Sequence, residues 1–292
     1  MSYHFNIHGV SISSFLEPYL DFAACNSIPD IRIIEDNSLA HKLNKNGNQI
    51  ISNANKSFIY EHNLFAAEIE EKGSLVRLRT LSNDFESISR KLLNLVVPFC
   101  LNMMGRNVFH ASSISYKNQT TLFLGKSGSG KSTLSVKFPH CDFVSEDIVS
   151  IQSIDNKQYA IPSFNYVKLS KQAATYNSKN LVFKKKILSD RHQRSFYGVK
   201  RFLTSPSPVK NFVFLKWAPE TKLRELTPTE IIANLLISSI KEVPRGSCND
   251  SKSKFMSFVE SIGNQASFYE YSRPNDLSHF PEDDALSLLF KK

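Results

Sequence analysis

One short segment constrains this chain more than any other: Gly125 to Ser132 reads G-x-x-x-x-G-K-S. It directly follows the apolar run TTLFL and precedes the helix-like run STLSVKF. A strand that passes through glycines into a helix lets successive backbone N–H groups point at a phosphate. The spacing therefore predicts a phosphate-binding strand, loop and helix.

The residue types in this loop each have a predicted task. Lys131 would reach the β- and γ-phosphates, and the Ser132 hydroxyl would bind Mg²⁺. ATP with Mg²⁺ is the ligand that we expect. The predicted nucleotide-binding residues are Gly125, Lys126, Ser127, Gly128, Ser129, Gly130, Lys131, Ser132 and Thr133.

Two neighbouring carboxylates, Glu146 and Asp147, follow the strand-like run CDFV shortly after the loop. Acidic side chains at a strand end beside a phosphate loop suit two tasks. One helps to hold Mg²⁺, and the other accepts a proton from an attacking hydroxyl. His110 opens the extended run HASS, but a lone histidine does not by its residue type indicate catalysis.

The order FHASSIS, LFLGKSGSGKSTL and VSEDIVSI over about residues 108–151 resembles the bacterial HPr kinase/phosphorylase superfamily. More closely, the chain resembles the HPr-kinase-like proteins of peptide-modifying clusters, of the lasso peptide kinase type. The resemblance implies that His110 lies near the γ-phosphate. It also implies that Glu146 takes the place of the general base and Asp147 that of the second acidic residue. The implied catalytic set is Glu146, Asp147, His110 and Lys131, with Ser132 and Asp147 at the metal.

Two departures from the family pattern bear on substrate choice. The family has aspartate where this chain has Glu146, and its C-terminal signature, which supplies a basic residue to the active site, has no recognisable counterpart. HPr is therefore disfavoured as the acceptor. Lys168 and the pair Lys200 and Arg201 are candidates to replace that basic residue.

The pattern predicts a mixed α+β chain in three parts. Residues 1–80 alternate like strands and form a β-rich domain, and residues 81–107 form a connecting helix capped by Asn83 or Asp84. Residues 108–292 form the catalytic domain, whose core resembles a P-loop fold shared with phosphoenolpyruvate carboxykinase. Within it, residues 179–201 are expected to be a basic loop, with eight basic residues against one acid.

The composition indicates which classes of binding partner to expect. With 41% hydrophobic and 22% charged residues, the 292-residue chain is a folded protein, and 36 Lys and Arg against 27 Asp and Glu favour an anionic partner. The basic segment 179–201 is expected to serve in docking or as a lid. A single basic segment disfavours nucleic acid as the partner. No run is long and apolar enough for a membrane partner, and four scattered cysteines indicate reduced thiols and a cytoplasmic location.

The function that the sequence favours is ATP-dependent phosphoryl transfer to a serine-type hydroxyl of a peptide or protein. Two alternatives stay open: a kinase of a small hydroxylated metabolite, and a non-catalytic nucleotide-binding sensor or assembly protein. The sequence also leaves a homo-oligomer open.

Overall fold

The computed structural model describes residues 2–39, 47–52, 56–176, 178–187, 193–239, 249–275 and 285–290. The chain divides into two compact units, Met1–Val108 with Ile240–Phe258 and Phe109–Ser239 with Val259–Lys292. Both are rich in strands, so the predicted mixed α+β class is observed. Within the described residues, no helix has the length and apolar character that a membrane crossing needs.

The first unit is a mixed sheet with a buried helical segment. Its sheet has the order β1-β2-β3-β7-β6-β5-β4, in which β3 is parallel to both of its neighbours. The described strands are β1 (Tyr3–Ile7), β2 (Val10–Ser14), β3 (Ile31–Glu35), β4 (Gln49–Ser52), β5 (Ser57–Glu61), β6 (Phe65–Glu70) and β7 (Leu75–Thr80). A 3-10 turn at Glu71–Gly73 joins the last two strands.

The expected connecting helix lies in this first unit. It comprises α1 (Phe85–Lys91), a π-helical turn at Leu92–Val96 and α2 (Val97–Met103). The side chain of Asp84 accepts a hydrogen bond from the Ser87 amide, which confirms Asp84 as the N-cap. Ile88, Val96 and Leu101 are fully buried, so this segment contributes to the core.

The second unit begins at the end of β8 (Asn107–Phe109) and contains a second mixed sheet. In this sheet β10 is parallel to β17, and β17 is parallel to β19, so all three end at the same edge. Its other strands are β9 (Ala111–Tyr116), β11 (Asp142–Ser145), β12 (Val149–Ile154), β13 (Lys157–Ile161) and β18 (Lys222–Glu225), while β10 spans Gln119–Leu124, β17 Ser207–Trp217 and β19 Ser267–Arg273.

A separate three-stranded sheet has the order β14-β16-β15, with β14 at Tyr166–Leu169, β15 at Leu181–Lys186 and β16 at Ser195–Val199. The expectation of a basic loop at 179–201 is therefore wrong for much of that segment. The strands form because one face of the sheet packs into a buried cluster with Val136, Phe143 and Ala173. Arg191 and Asp190 lie outside the described residues.

The helices of the second unit are short apart from those near its C-terminal part. They are α3 (Lys131–Ser135), α4 (Lys171–Tyr176), α5 (Pro228–Ser238) and α6 (Asn249–Gly263), which straddles the unit boundary, with 3-10 turns at Ser178–Asn180 and Ala285–Phe290. Thr227 and Glu230 form a capping box at the start of α5.

Candidate active site

The glycine-rich loop directly follows strand β10, as the sequence predicted, and it lies at the edge where the three parallel strands end. Gly125 has φ of 139° and Gly130 has φ of 90°, both in the region that favours glycine. A Cβ at Gly125 would stand 2.9 Å from the carbonyl oxygen of Leu215 in the neighbouring strand β17. The loop is therefore held close to the sheet, which leaves Lys126, Ser127 and Gly128 exposed.

The side chain of Lys131 is hydrogen-bonded to the backbone of the loop. Its ammonium donates hydrogen bonds to the carbonyl oxygens of Gly125, at 2.9 Å, and Lys126, at 3.2 Å, and the residue is buried. Burial lowers the pKa of Lys131, while Asp147 and Glu146 oppose that shift. The helix that follows is shorter than expected, because α3 has only five residues, so its dipole adds little.

Glu146 and Asp147 form the turn between β11 and β12, as predicted for a strand end. Asp147 has φ of 59°, a left-handed conformation that is uncommon for a residue other than glycine. Ser145 fixes this turn, since its hydroxyl donates to the Ile148 carbonyl oxygen and is also hydrogen-bonded to the Ser163 hydroxyl. The carboxylate pair is thus held on a rigid turn.

Lys168 contacts both members of the pair. Its ammonium lies 2.5 Å from Oδ2 of Asp147, and its backbone N–H donates to Oε2 of Glu146 at 2.7 Å. Of the three basic residues considered as replacements, Lys168 lies in the site. Lys200 instead donates to the Lys179 carbonyl oxygen, and Arg201 pairs with Asp142.

His110 lies against the same turn. Its Nδ1 donates to the backbone carbonyl oxygen of Asp147 at 3.0 Å. Burial lowers the pKa of His110, and the charge of Lys131 lowers it further, while Asp147 opposes the shift. The side chain therefore orients the Asp147 backbone in this structure.

The two carboxyl groups have opposite pKa shifts. Burial, and then the charge of Asp147, raise the pKa of Glu146 to about 8, although Lys168 and the Ser132 hydroxyl oppose the shift. Oε1 of Glu146 is buried and has no hydrogen-bond partner of normal geometry in the described residues. Burial alone would raise the pKa of Asp147 as well, but the pairing with Lys168, helped by His110 and Arg194, lowers it.

Arg273 and Trp217 are site residues that the sequence reasoning missed. They end β19 and β17, and the guanidinium of Arg273 stacks on the Trp217 ring at 4.3 Å. Arg273 is 5% exposed, and its Nη2 fills the space that a Cβ on Gly130 would need. The signal that could have found them is their position at strand ends, because the C-terminal ends of neighbouring parallel strands meet at one edge of a sheet.

The residues brought together are the loop, Glu146, Asp147, His110 and Lys168, all within the second unit. No group of three or more His, Cys, Asp and Glu side chains arranged for a metal occurs in the described part of the chain. Cys25, Cys100 and Cys141 carry free thiols, as expected, and Cys248 lies outside the described residues.

Comparisons with known proteins add little to this geometry. No protein-family model matches the chain, and no curated protein matches it. Among solved structures, the HPr(Ser) kinase/phosphatase from Coxiella burnetii matches with a TM-score of 0.27 and 9% identity, over 57% of this chain and 85% of that one. A likeness of that size identifies neither the fold nor an activity.

Proposed function

We propose that this chain is an ATP-dependent phosphotransferase that transfers a phosphoryl group to a serine-type hydroxyl of a peptide or protein. The observation that carries the proposal is the meeting of a glycine-rich loop with an acidic pair. Against the larger effect of burial, the charges of Asp147 and Glu146 raise the pKa of Lys131 in the loop, and Lys168 contacts both carboxylates. Phosphoryl transfer requires mainly positioning and charge neutralisation, which this set provides.

In the proposed complex, the ATP phosphates lie along the exposed part of the loop at Lys126 to Gly128. Backbone N–H groups of the loop would donate to phosphate oxygens, and the ammonium of Lys131 would turn from the loop carbonyls toward them. Nη2 of Arg273 lies where a Cβ on Gly130 would stand, so Arg273 packs closely against the loop. This role for Arg273 is structural support of the loop.

The donor set fits Mg²⁺. Ser132 offers a hydroxyl, and Asp147 offers a carboxylate with a lowered pKa. Mg²⁺ is commonly held by one or two carboxylates together with substrate phosphates. When bound, the ion would neutralise charge on the phosphate oxygens.

Glu146 in its ionised form is the proposed acceptor of the hydroxyl proton, so the carboxyl, whose pKa is about 8 in the protein without nucleotide, must first lose its own proton. As the acceptor oxygen bonds to the γ-phosphorus and the bond to the ADP oxygen breaks, the hydroxyl proton passes to the Glu146 carboxylate. The amide of Lys168 holds Oε2 of that carboxylate, which leaves Oε1 for the proton. His110 and Lys168 position Asp147 through its carbonyl and its carboxylate.

The test is transfer of radiolabelled phosphate from ATP to serine peptides and, in parallel, to hydroxylated metabolites. Phosphopeptide formation supports the proposal, whereas labelling of metabolites alone indicates the small-molecule kinase. Tight ATP binding with no labelled product in either panel indicates a sensor or assembly protein. Each outcome thus selects one of the three functions that the sequence left open.

A further inference from the structure

Four strands of the second sheet end at the edge that carries the glycine-rich loop. β11 is antiparallel to β9, and β9 is antiparallel to β10, so β11 ends at the same edge as β10, β17 and β19. The order of the strands is β11-β9-β10-β17, and β19 lies beyond β17. The carboxylate turn after β11 therefore lies on one side of the loop, and the strand ends at Trp217 and Arg273 lie on the other.

This order sets the direction in which a nucleotide lies across the edge. In the proposed reaction the γ-phosphate is next to Glu146, because Glu146 accepts the proton of the attacking hydroxyl. The loop holds the phosphates, so the ribose and the base extend away from the carboxylates, toward β17. β11 and β17 are three strand spacings apart, about 14 Å, which is close to the length of an extended nucleoside triphosphate.

The side chain at the end of β17 is aromatic. Trp217 is the only tryptophan of the chain, and it is partly exposed. Its Cη2 lies 3.6 Å from the position that a Cβ on Gly130 would take, so the indole borders the glycine-rich loop. Aromatic side chains bind nucleotide bases by stacking, since every base has a π-face.

Arg273 holds the indole in place. Its guanidinium is buried and stacks on the Trp217 ring, 4.3 Å from the ring centre. One face of the indole is therefore covered by a cation, and a second planar group can stack only on the opposite face. Because the ring is already held, little side-chain freedom is lost when that group binds.

We propose that Trp217 binds the base of the nucleotide by stacking, with adenine as the base in the proposed reaction. The inference rests on the proposed function and adds a base-binding residue to its site. The phosphoryl acceptor approaches from the other side of the loop, where Glu146 lies. The nucleoside is therefore the part of the complex that reaches Trp217.

The experiment compares the binding of ATP and of inorganic tripolyphosphate, which lacks the nucleoside, by calorimetry with Mg²⁺ present. We expect Trp217→Ala to weaken ATP binding about tenfold, within the range that stacking on an aromatic side chain contributes, and to leave tripolyphosphate binding unchanged. Trp217→Phe should keep most of the affinity for ATP. Tyr176→Ala, at an exposed aromatic residue of the same unit, is the matched control and should change neither affinity.

The fluorescence of the wild-type protein gives a second measurement that needs no variant. Because Trp217 is the only tryptophan, ATP should quench the indole emission, whereas tripolyphosphate should leave it unchanged. Emission that both ligands change equally, or that neither changes, overturns the inference. An equal loss of affinity for ATP and tripolyphosphate in Trp217→Ala also overturns it.

These outcomes separate the base site from the proposed function. A wild-type protein that binds neither ATP nor tripolyphosphate would contradict both. ATP binding that depends on Trp217 as expected, without phosphate transfer, would contradict the phosphotransferase and support the base site. Phosphate transfer by Trp217→Ala with an unchanged KM for ATP would contradict the base site alone.

Discussion

The ammonium of Lys168 lies 2.5 Å from Oδ2 of Asp147, and both side chains are largely shielded from solvent, at 15% and 25% exposure. This pair neutralises an acidic residue that lies beside a second carboxyl group. Asp147 stays ionised next to Glu146 mainly because Lys168 compensates its charge. The pairing is therefore central to the electrostatics of the site.

Replacing Lys168 tests this dependence. Lys168→Met removes the charge but keeps the length of the side chain, and we expect phosphoryl transfer to fall by about 100-fold. Lys168→Arg should retain more of the activity because it preserves the ion pair. Transfer is measured with radiolabelled ATP and a serine peptide, and Lys171→Met, an exposed change nearby, is the control. Wild-type transfer by Lys168→Met would contradict the role of the pair.

The contact between Gly130 and Arg273 gives a second prediction. Gly130→Ala and Gly128→Ala both force alanine into a left-handed conformation, but only the former meets a neighbouring side chain, Arg273. The backbone strain costs about 1–2 kcal/mol in each. We expect Gly130→Ala to lower the free energy of unfolding in urea by clearly more than Gly128→Ala does.

Arg273→Ala supplies the control for that comparison. In its background the overlap is gone, so Gly130→Ala should cost no more than Gly128→Ala. If the two alanine variants are equally destabilised in the wild-type background, Arg273 does not support the loop.

Local sequence signals predicted the parts of this site that depend on neighbouring residues. The loop from Gly125, the turn at Glu146 and Asp147, and the cap at Asp84 each follow from residue types a few positions apart. The contribution of Arg273 could not be predicted in this way. It depends on β19 pairing in parallel with β17, whose Trp217 lies 56 residues earlier in the numbering (273 − 217 = 56).

The basic segment 179–201 shows why sequence periodicity did not predict strand β15. A strand is recognised by alternation, but the extra residue Lys184 interrupts the alternation of β15 halfway along. Five of the six residues of β15 are exposed, so no apolar pattern remained to indicate it. Its strand conformation comes from pairing with β16, which the sequence did not indicate.

The raised pKa of Glu146 predicts a dependence of stability on pH in the protein without nucleotide, measured in EDTA. The folded state keeps the proton up to a pKa of about 8, against an ordinary value of 4.5, so unfolding releases it between these values. The stability contributed by the protonated carboxyl is complete below about pH 4.5 and is lost as pH rises toward 8. Glu146→Gln is neutral throughout, so its Tm advantage over wild type should grow from pH 5 to pH 8.

Glu225→Gln, at an exposed acid of the same unit, should show no such trend. A Tm difference between Glu146→Gln and wild type that stays constant over this range would contradict the raised pKa.

The lowered pKa of His8, in the first unit, predicts the opposite trend, a loss of stability as pH falls. Burial, and then the charge of Arg106, lower the pKa of His8 from 6.5 to about 3. Unfolding therefore takes up a proton between these values, and stability is lost as pH falls below 6.5, by at most about 1.4 kcal/mol per pH unit. His8→Gln should flatten the fall in unfolding free energy between pH 6.5 and 5, whereas His62→Gln, at an exposed histidine of the same unit, should not. Parallel curves for wild type and His8→Gln would refute this.

The most direct test of the proposed function removes both carboxylates. Glu146→Ala with Asp147→Ala leaves the loop residues unchanged, so ATP binding by calorimetry should remain measurable. Transfer of radiolabelled phosphate to a serine peptide should be abolished in the same preparation, because no group remains to accept the hydroxyl proton. Transfer at the wild-type rate by this double variant would show that Glu146 and Asp147 do not carry the reaction.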